Sequence, residues 1–220
     1  MGKTNKATKS KEDEELLGNR IEYLKNDFND FINKIVYTKG FDYYSRLTAQ
    51  QFVKLKKLLS NINNIITLQL TQVFVDYLYE CGVIDASQRK AINEGVEKTK
   101  ANTNGFDVYY TAKIRNAEGI IAEVKCNLPV TPDRFGAAQR NGLEKDIEGL
   151  LHGKNKAKIA NTSGFYKFMV MLDDDERVPI AAKHFVKTMQ NKNYSIDLVD
   201  TFETLDLQTD RVYVVLLKLK

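Results

Sequence analysis

Two carboxylates and a lysine, Asp107, Glu123 and Lys125, carry the clearest chemical signal in this chain. Carboxylates that converge on one point bind a hard divalent cation such as Mg²⁺, which prefers oxygen ligands and keeps several waters. A lysine beside such a cation can position or deprotonate a water, or neutralise charge developing on a phosphate. Glu123-Val124-Lys125 is also the one acidic-x-Lys triplet in the sequence, so it does not belong to a recurrent surface pattern. The competing reading is an exposed strand face with ordinary cross-strand charge pairs.

The elements that must position these residues lie in residues 106–127, FDVYYTAKIRNAEGIIAEVKCN. Apolar and polar residues alternate there twice, on either side of a turn, which predicts two strands with one buried face each. Phe106, Val108, Tyr110, Ala112 and Ile114 share one face of the first strand, leaving Asp107, Tyr109, Thr111 and Lys113 on the other. Ile120, Ala122, Val124 and Cys126 form the apolar set of the second, opposed by Ile121, Glu123, Lys125 and Asn127. Asn116 to Gly119 supply turn residues. With both apolar faces in one core, the two acids and the lysine emerge together on the opposite face. A tight turn, however, sets Asp107 opposite Asn127, roughly 13 Å along the strand from Glu123. A shared metal therefore requires a wider loop, a bulge or splayed strands.

Gly105-Phe106-Asp107, followed by Glu123-Val124-Lys125 and a helix-like segment, resembles the PD-(D/E)xK nucleases, the restriction-endonuclease-like superfamily. Phe106 stands where that family usually writes Pro. The resemblance covers about residues 84–172 and implies an α+β or α/β fold, a mixed sheet flanked by helices with an α-β-β-α-β core. The first strand of the family's usual three-strand meander is not visible here. By resemblance, Asp107 and Glu123 are metal ligands and Lys125 is the water-activating or phosphate-contacting residue. The helix after the strands often lends a polar residue, here Gln139 first, and the helix before them an acid, here Glu94 or Glu97. The implied activity is Mg²⁺-dependent hydrolysis of DNA phosphodiester bonds, with Mn²⁺ as substitute, in the manner of a small type II restriction enzyme. The alternatives are a DNA repair or junction nuclease, or a non-catalytic module on the same fold that binds nucleic acid or a partner protein.

Composition sets the frame. Hydrophobic residues make up 43% and charged residues 28% of 220, the profile of a globular protein with a real core. No apolar run reaches the length of a membrane span, and the Lys-rich start lacks a signal-peptide core, so a cytoplasmic location is expected. Cys81 and Cys126 have no Cys or His neighbours at metal spacing, which argues against a disulfide or zinc site. His152 and His184 read as surface residues. A net charge of +4 leaves DNA binding to local clusters. One is Lys3, Lys6, Lys9 and Lys11 in the tail; the other is Lys154, Lys156 and Lys158 in a Gly- and Asn-containing loop, where phosphate contact and simple solubility are both open.

Three regions are expected: a disordered tail over 1–13, a helical region over 14–83 that holds a DNA-recognition or dimer surface, and a catalytic core over 84–220. The first helix, to about Tyr37, carries a heptad seam of Leu17, Ile21, Leu24, Phe28, Phe31 and Ile35, read as packing in a bundle, with homodimerisation as the alternative. Thr48 caps a second helix through Ile62, and a third covers Thr67 to Cys81. Asp85 or Ser87 opens a helix to about Lys100. Thr131-Pro132 starts another, reaching about Leu151. Phe165 to Leu172 is a buried strand parallel to the Glu123 strand, Pro179 begins a helix to about Gln190, and Arg211 to Leu219 is a strand too apolar for an exposed edge.

Overall fold

The computed structural model describes residues 17–98, 105–157, 159–199 and 206–219. The expected tail over 1–13, its four lysines, and Lys158 lie outside the described residues, as does the Lys156 side chain. The chain divides into two compact units, Met1–Leu59 and Ser60–Lys220. The division falls inside one long helix.

The first unit holds α1 (Leu17–Ile35), a 3₁₀ turn (Tyr44–Arg46) and the start of α2 (Ala49–Glu80). Thr48 opens α2 as expected: its amide donates to Gln51 Oε1 at 2.7 Å, and the Gln51 amide donates to Thr48 Oγ1 at 3.3 Å. That reciprocal pair satisfies two orphan donors of the first turn. Asn29 and Asn33 of α1 donate to Asp42 Oδ1 and the Phe41 carbonyl, both at 2.8 Å. Of the heptad seam, Phe28 packs against Tyr44 and Phe52, whereas Leu24, Phe31 and Ile35 are more than half exposed. The expected break between Ile62 and Thr67 is absent, because no Gly or Pro interrupts the stretch. Thr67 Oγ1 instead donates back to the Asn63 carbonyl at 2.9 Å, within a single helix.

The second unit is a mixed α/β structure built on a five-stranded mixed sheet flanked by helices, in the order β1-β2-β3-β5-β4. The strands are β1 (Val108–Tyr110), β2 (Gly119–Lys125), β3 (Phe165–Leu172), β4 (Ile196–Val199) and β5 (Val212–Leu217); the helices are the end of α2, α3 (Ala86–Lys98), α4 (Ala137–His152) and α5 (Arg177–Asn191). β1 runs antiparallel to β2, and every other pairing is parallel. β3 is thus parallel to β2, with α4 between them in the chain, and β5 is interior. The sequence pattern does not predict β4. Its Ile-Asp-Leu-Val segment is too short to announce itself, and it pairs only along the edge of β5.

Both faces of the sheet are covered. Leu70, Phe74 and Leu78 of α2 and Ile92 of α3 pack with Val108, Ile120, Ala122, Val124 and Phe168. Leu143, Ile147 and Leu150 of α4 and Phe185 and Met189 of α5 pack with Ile121, Met169 and Val214 on the other side. Each fully buried Leu, Ile or Phe contributes about 1.5–3 kcal/mol. β3 is accordingly buried at all eight positions and β2 at six of seven.

This layering corrects the expected one-sided hairpin. The Ile121–Glu123 face is a second core surface beneath α4 and not a solvent face, and Phe106 packs there instead of joining Val108. The start of α4 also differs. Residues 131–134 close a turn, Arg134 N donating to Thr131 O at 3.3 Å, and the helix begins at Ala137. Asp85 caps α3 as expected, its Oδ1 accepting from the Gln88 amide at 2.9 Å.

Candidate active site

The β1–β2 ladder pairs Val108 with Ala122 and Tyr110 with Ile120. Carried one step further, this register brings Asp107 to the Glu123–Val124 backbone, where Asp107 Oδ2 accepts a hydrogen bond from the Val124 amide at 2.7 Å. The tight-turn register, with Asp107 opposite Asn127, does not occur. A wide connection replaces it, closed on itself by reciprocal hydrogen bonds between Ile114 and Ala117 at 2.9 and 3.0 Å.

Glu123 is 4% exposed. Its Oε2 accepts from Lys125 Nζ at 2.8 Å, and Lys125 Nζ also lies 2.8 Å from Asp146 Oδ2 on α4. Its Oε1 accepts from Lys154 Nζ. Burial pushes the Glu123 carboxyl above its ordinary pKa; Lys125 opposes this, Asp107 and Asp146 reinforce it, and Lys154 opposes it more weakly. Lys125 shifts upward: burial pulls it down, but Glu123 and Asp146 together outweigh that effect, so it is held as a cation.

Lys154 belongs to this centre and not to a free loop. Gly153, with φ of 92°, ends α4 and turns the chain back. The Lys154 amide then donates to Ile159 O at 2.8 Å, and the Ile159 amide returns a bond to Lys154 O at 3.2 Å. Gly149 gives the lysine stem its seat: a Cβ there would stand 3.0 Å from Lys154 Cε. The ammonium donates to the Gly105 carbonyl at 3.0 Å and sits 4.8 Å from the centroid of the Phe106 ring. Beside it opens a cleft of about 760 Å³ lined by Gly105, Lys145, Asp146, His152, Lys154 and Asn155, among others.

The other sequence candidates lie elsewhere. The Gln139 side chain accepts from the Gly136 amide at 2.8 Å and donates to Leu128 O at 2.9 Å, so it caps the start of α4. Glu94 is 4.0 Å from Lys90 on an exposed flank, and Glu97 borders a separate surface pocket with it. α3 reaches Asp107 through Gly95 and Val96, which line a cavity of about 210 Å³ with it. Asp146 is the residue that sequence reasoning passed over. It lies seven residues, about two turns, beyond Gln139 and between the buried Leu143 and Leu150, so it was legible as the lone acid on an inward stripe.

Among the described residues no group of three or more His, Cys, Asp and Glu is arranged to hold a metal ion. Two carboxylates with waters nonetheless suffice for Mg²⁺. Asp107, just before β1, and Glu123 on β2 supply hard oxygens side by side. At their ordinary charges, Asp107, Glu123 and Asp146 outnumber the ammonium groups of Lys125 and Lys154 by one. A divalent cation fits that deficit, on the condition that one ammonium gives up a Glu123 oxygen. No protein-family model, no curated protein and no solved structure matches the chain. No helix among the described residues is long and apolar enough to cross a membrane.

Proposed function

We propose that this protein is a Mg²⁺-dependent DNA endonuclease of the restriction-endonuclease-like kind, with the sheet and α4 as its catalytic frame. The observation that carries the reading is the pairing register that brings Asp107 beside Glu123, with Lys125 two residues on. Asp107 and Glu123 would hold the cation, which when bound polarises the scissile phosphate and lowers the pKa of its water. Lys125 is braced between Glu123 and Asp146. Kept protonated, it serves to orient the phosphate and offset developing negative charge and not to remove a proton. Asp146 is a positioning residue that aims it. The water's oxygen bonds to phosphorus as the P–O bond to the leaving sugar oxygen breaks, and the proton lost by the water balances the one that oxygen gains. The cleft beside Lys154 and Lys145 would accept the strand.

A second reading, a non-catalytic nucleic-acid or partner-binding module, is favoured by one feature: both Glu123 oxygens already have ammonium partners. Incubation with plasmid, phage and genomic DNA in Mg²⁺ or EDTA, beside Glu123→Ala and Lys125→Ala, separates the two. Metal-dependent fragments lost in both variants support the nuclease. No cleavage of any DNA, with melting unchanged by Mg²⁺ or Mn²⁺, leaves the binding module.

A further inference from the structure

Lys125 and Lys154 hold the same carboxylate in unequal ways. Lys125 bridges two carboxylates, Glu123 and Asp146, and takes no part in lining the adjoining cleft. Lys154 has one carboxylate, one backbone carbonyl and the face of Phe106, and it is one of the residues that line the cleft. Any cation entering between Asp107 and Glu123 competes with both ammonium groups. The one with a single carboxylate partner and open space beside it is the one that can leave.

We propose that Lys154 is an exchangeable counter-cation of Glu123: it holds Oε1 while no metal is bound, and it yields that oxygen to a divalent cation by turning into the cleft. The inference rests on the metal-dependent reading above and adds a built-in competitor to it. In the metal-free protein Lys154 lowers the repulsion among Asp107, Glu123 and Asp146. In the metal-bound protein its charge is released where a substrate phosphate would meet it, next to Lys145 and Asn155. Because ammonium and metal occupy one oxygen alternately, each weakens the other's hold by the same factor. The Gly149 seat matters for the same reason, since a methyl group there presses on the lysine stem and weakens its grip without removing its charge.

The test is calorimetric titration of the full chain with Mn²⁺, without DNA, for the parent, Lys154→Met and Gly149→Ala. Lys154→Met is expected to bind Mn²⁺ about tenfold more tightly than the parent, a typical size for coupled sites. Gly149→Ala should bind more tightly by a smaller factor, and it carries the test if Lys154→Met fails to fold. Glu123→Gln should abolish binding in either background. Parent and Lys154→Met proteins with equal Mn²⁺ affinity, or a weaker variant, overturn the exchange while leaving a metal-binding nuclease standing. Failure of every protein to bind Mn²⁺, together with absence of DNA cleavage, overturns the nuclease reading and the exchange with it.

Discussion

Asp107 Oδ2 accepts the Val124 amide at 2.7 Å, so a side-chain hydrogen bond ties the residue before β1 to the strand that carries Glu123. The bond gives Asp107 a structural task separable from metal binding. Asp107→Asn keeps an oxygen acceptor and should unfold within about 1 kcal/mol of the parent, whereas Asp107→Ala strands a backbone donor at a loss of about 1–3 kcal/mol. Both should reduce Mg²⁺-dependent cleavage by at least about a hundredfold. Denaturant titration and a plasmid assay read the two effects. An Asp107→Asn protein that cleaves at the parental rate would remove Asp107 from the ligand set.

Lys125 bridges Glu123 and Asp146, and these contacts should be energetically coupled. Lys125→Met leaves part of a buried cluster uncompensated and should cost on the order of 3 kcal/mol. Asp146→Asn, which keeps the shape but loses the charge, should cost about 1 kcal/mol. The double variant should be less destabilised than the sum by about 0.5–3 kcal/mol. A double-mutant cycle by urea unfolding decides it, and strict additivity would show that Asp146 does not aim Lys125.

Lys167 gives a pH dependence unconnected with the candidate site. It is 1% exposed within β3 and donates to Phe165 O at 3.0 Å and to Thr209 O. Burial lowers its pKa from 10.5 to about 8, with Asp210 opposing the shift. Below about 8 both folded and unfolded chains carry the charge, and its burial penalty is fully present. Between about 8 and 10.5 the unfolded chain binds more protons than the folded one, so stability rises with pH; above that window the penalty is gone. Relative to Lys167→Met, the parent should therefore gain up to about 3 kcal/mol across the window. Parallel stability curves for the two proteins would refute it.

Gly153→Ala should be among the more damaging single-atom changes in the second unit. A Cβ at that φ would lie 2.3 Å from Ile159 O, and the turn it forms is what returns Lys154 to Glu123. A loss of about 2 kcal/mol or more is expected. Gly142→Ala provides the contrast. It lies inside α4, and a methyl group added there would meet nothing within 4 Å, so it should stabilise by about 0.5–1 kcal/mol. Thermal melting of the pair measures the difference.

Much of the second unit was legible in sequence because its signals are local. The apolar runs of β3 and β5 read as interior strands and Asp85 as an opening for α3; in the first unit Thr48 likewise marked the start of α2. Where local signals were weak, tertiary structure overrode them. Four residues of edge strand acquire their β-structure only by pairing with β5. Asn61 to Asn64 look like a break yet continue as helix. Thr131-Pro132, a good start signal in isolation, is consumed in a turn while Phe135 is buried and α4 waits for Gly136.

The same division runs through the candidate site. Residue types and spacing by themselves determined that Asp107, Glu123 and Lys125 were the residues to watch, since side-chain alternation along a strand is a local property. Only the tertiary structure decided that Asp107 stands beside Glu123 and not four residues away, because register depends on how the loop between the strands folds. It alone joined Asp146, 21 positions beyond Lys125 by their numbers, to that lysine, and Lys154 to Glu123, 31 positions away. And it alone turned an expected solvent face into a buried one, by laying α4 over β2. That burial raises the pKa of Glu123, a consequence of desolvation that no spacing in the chain could encode.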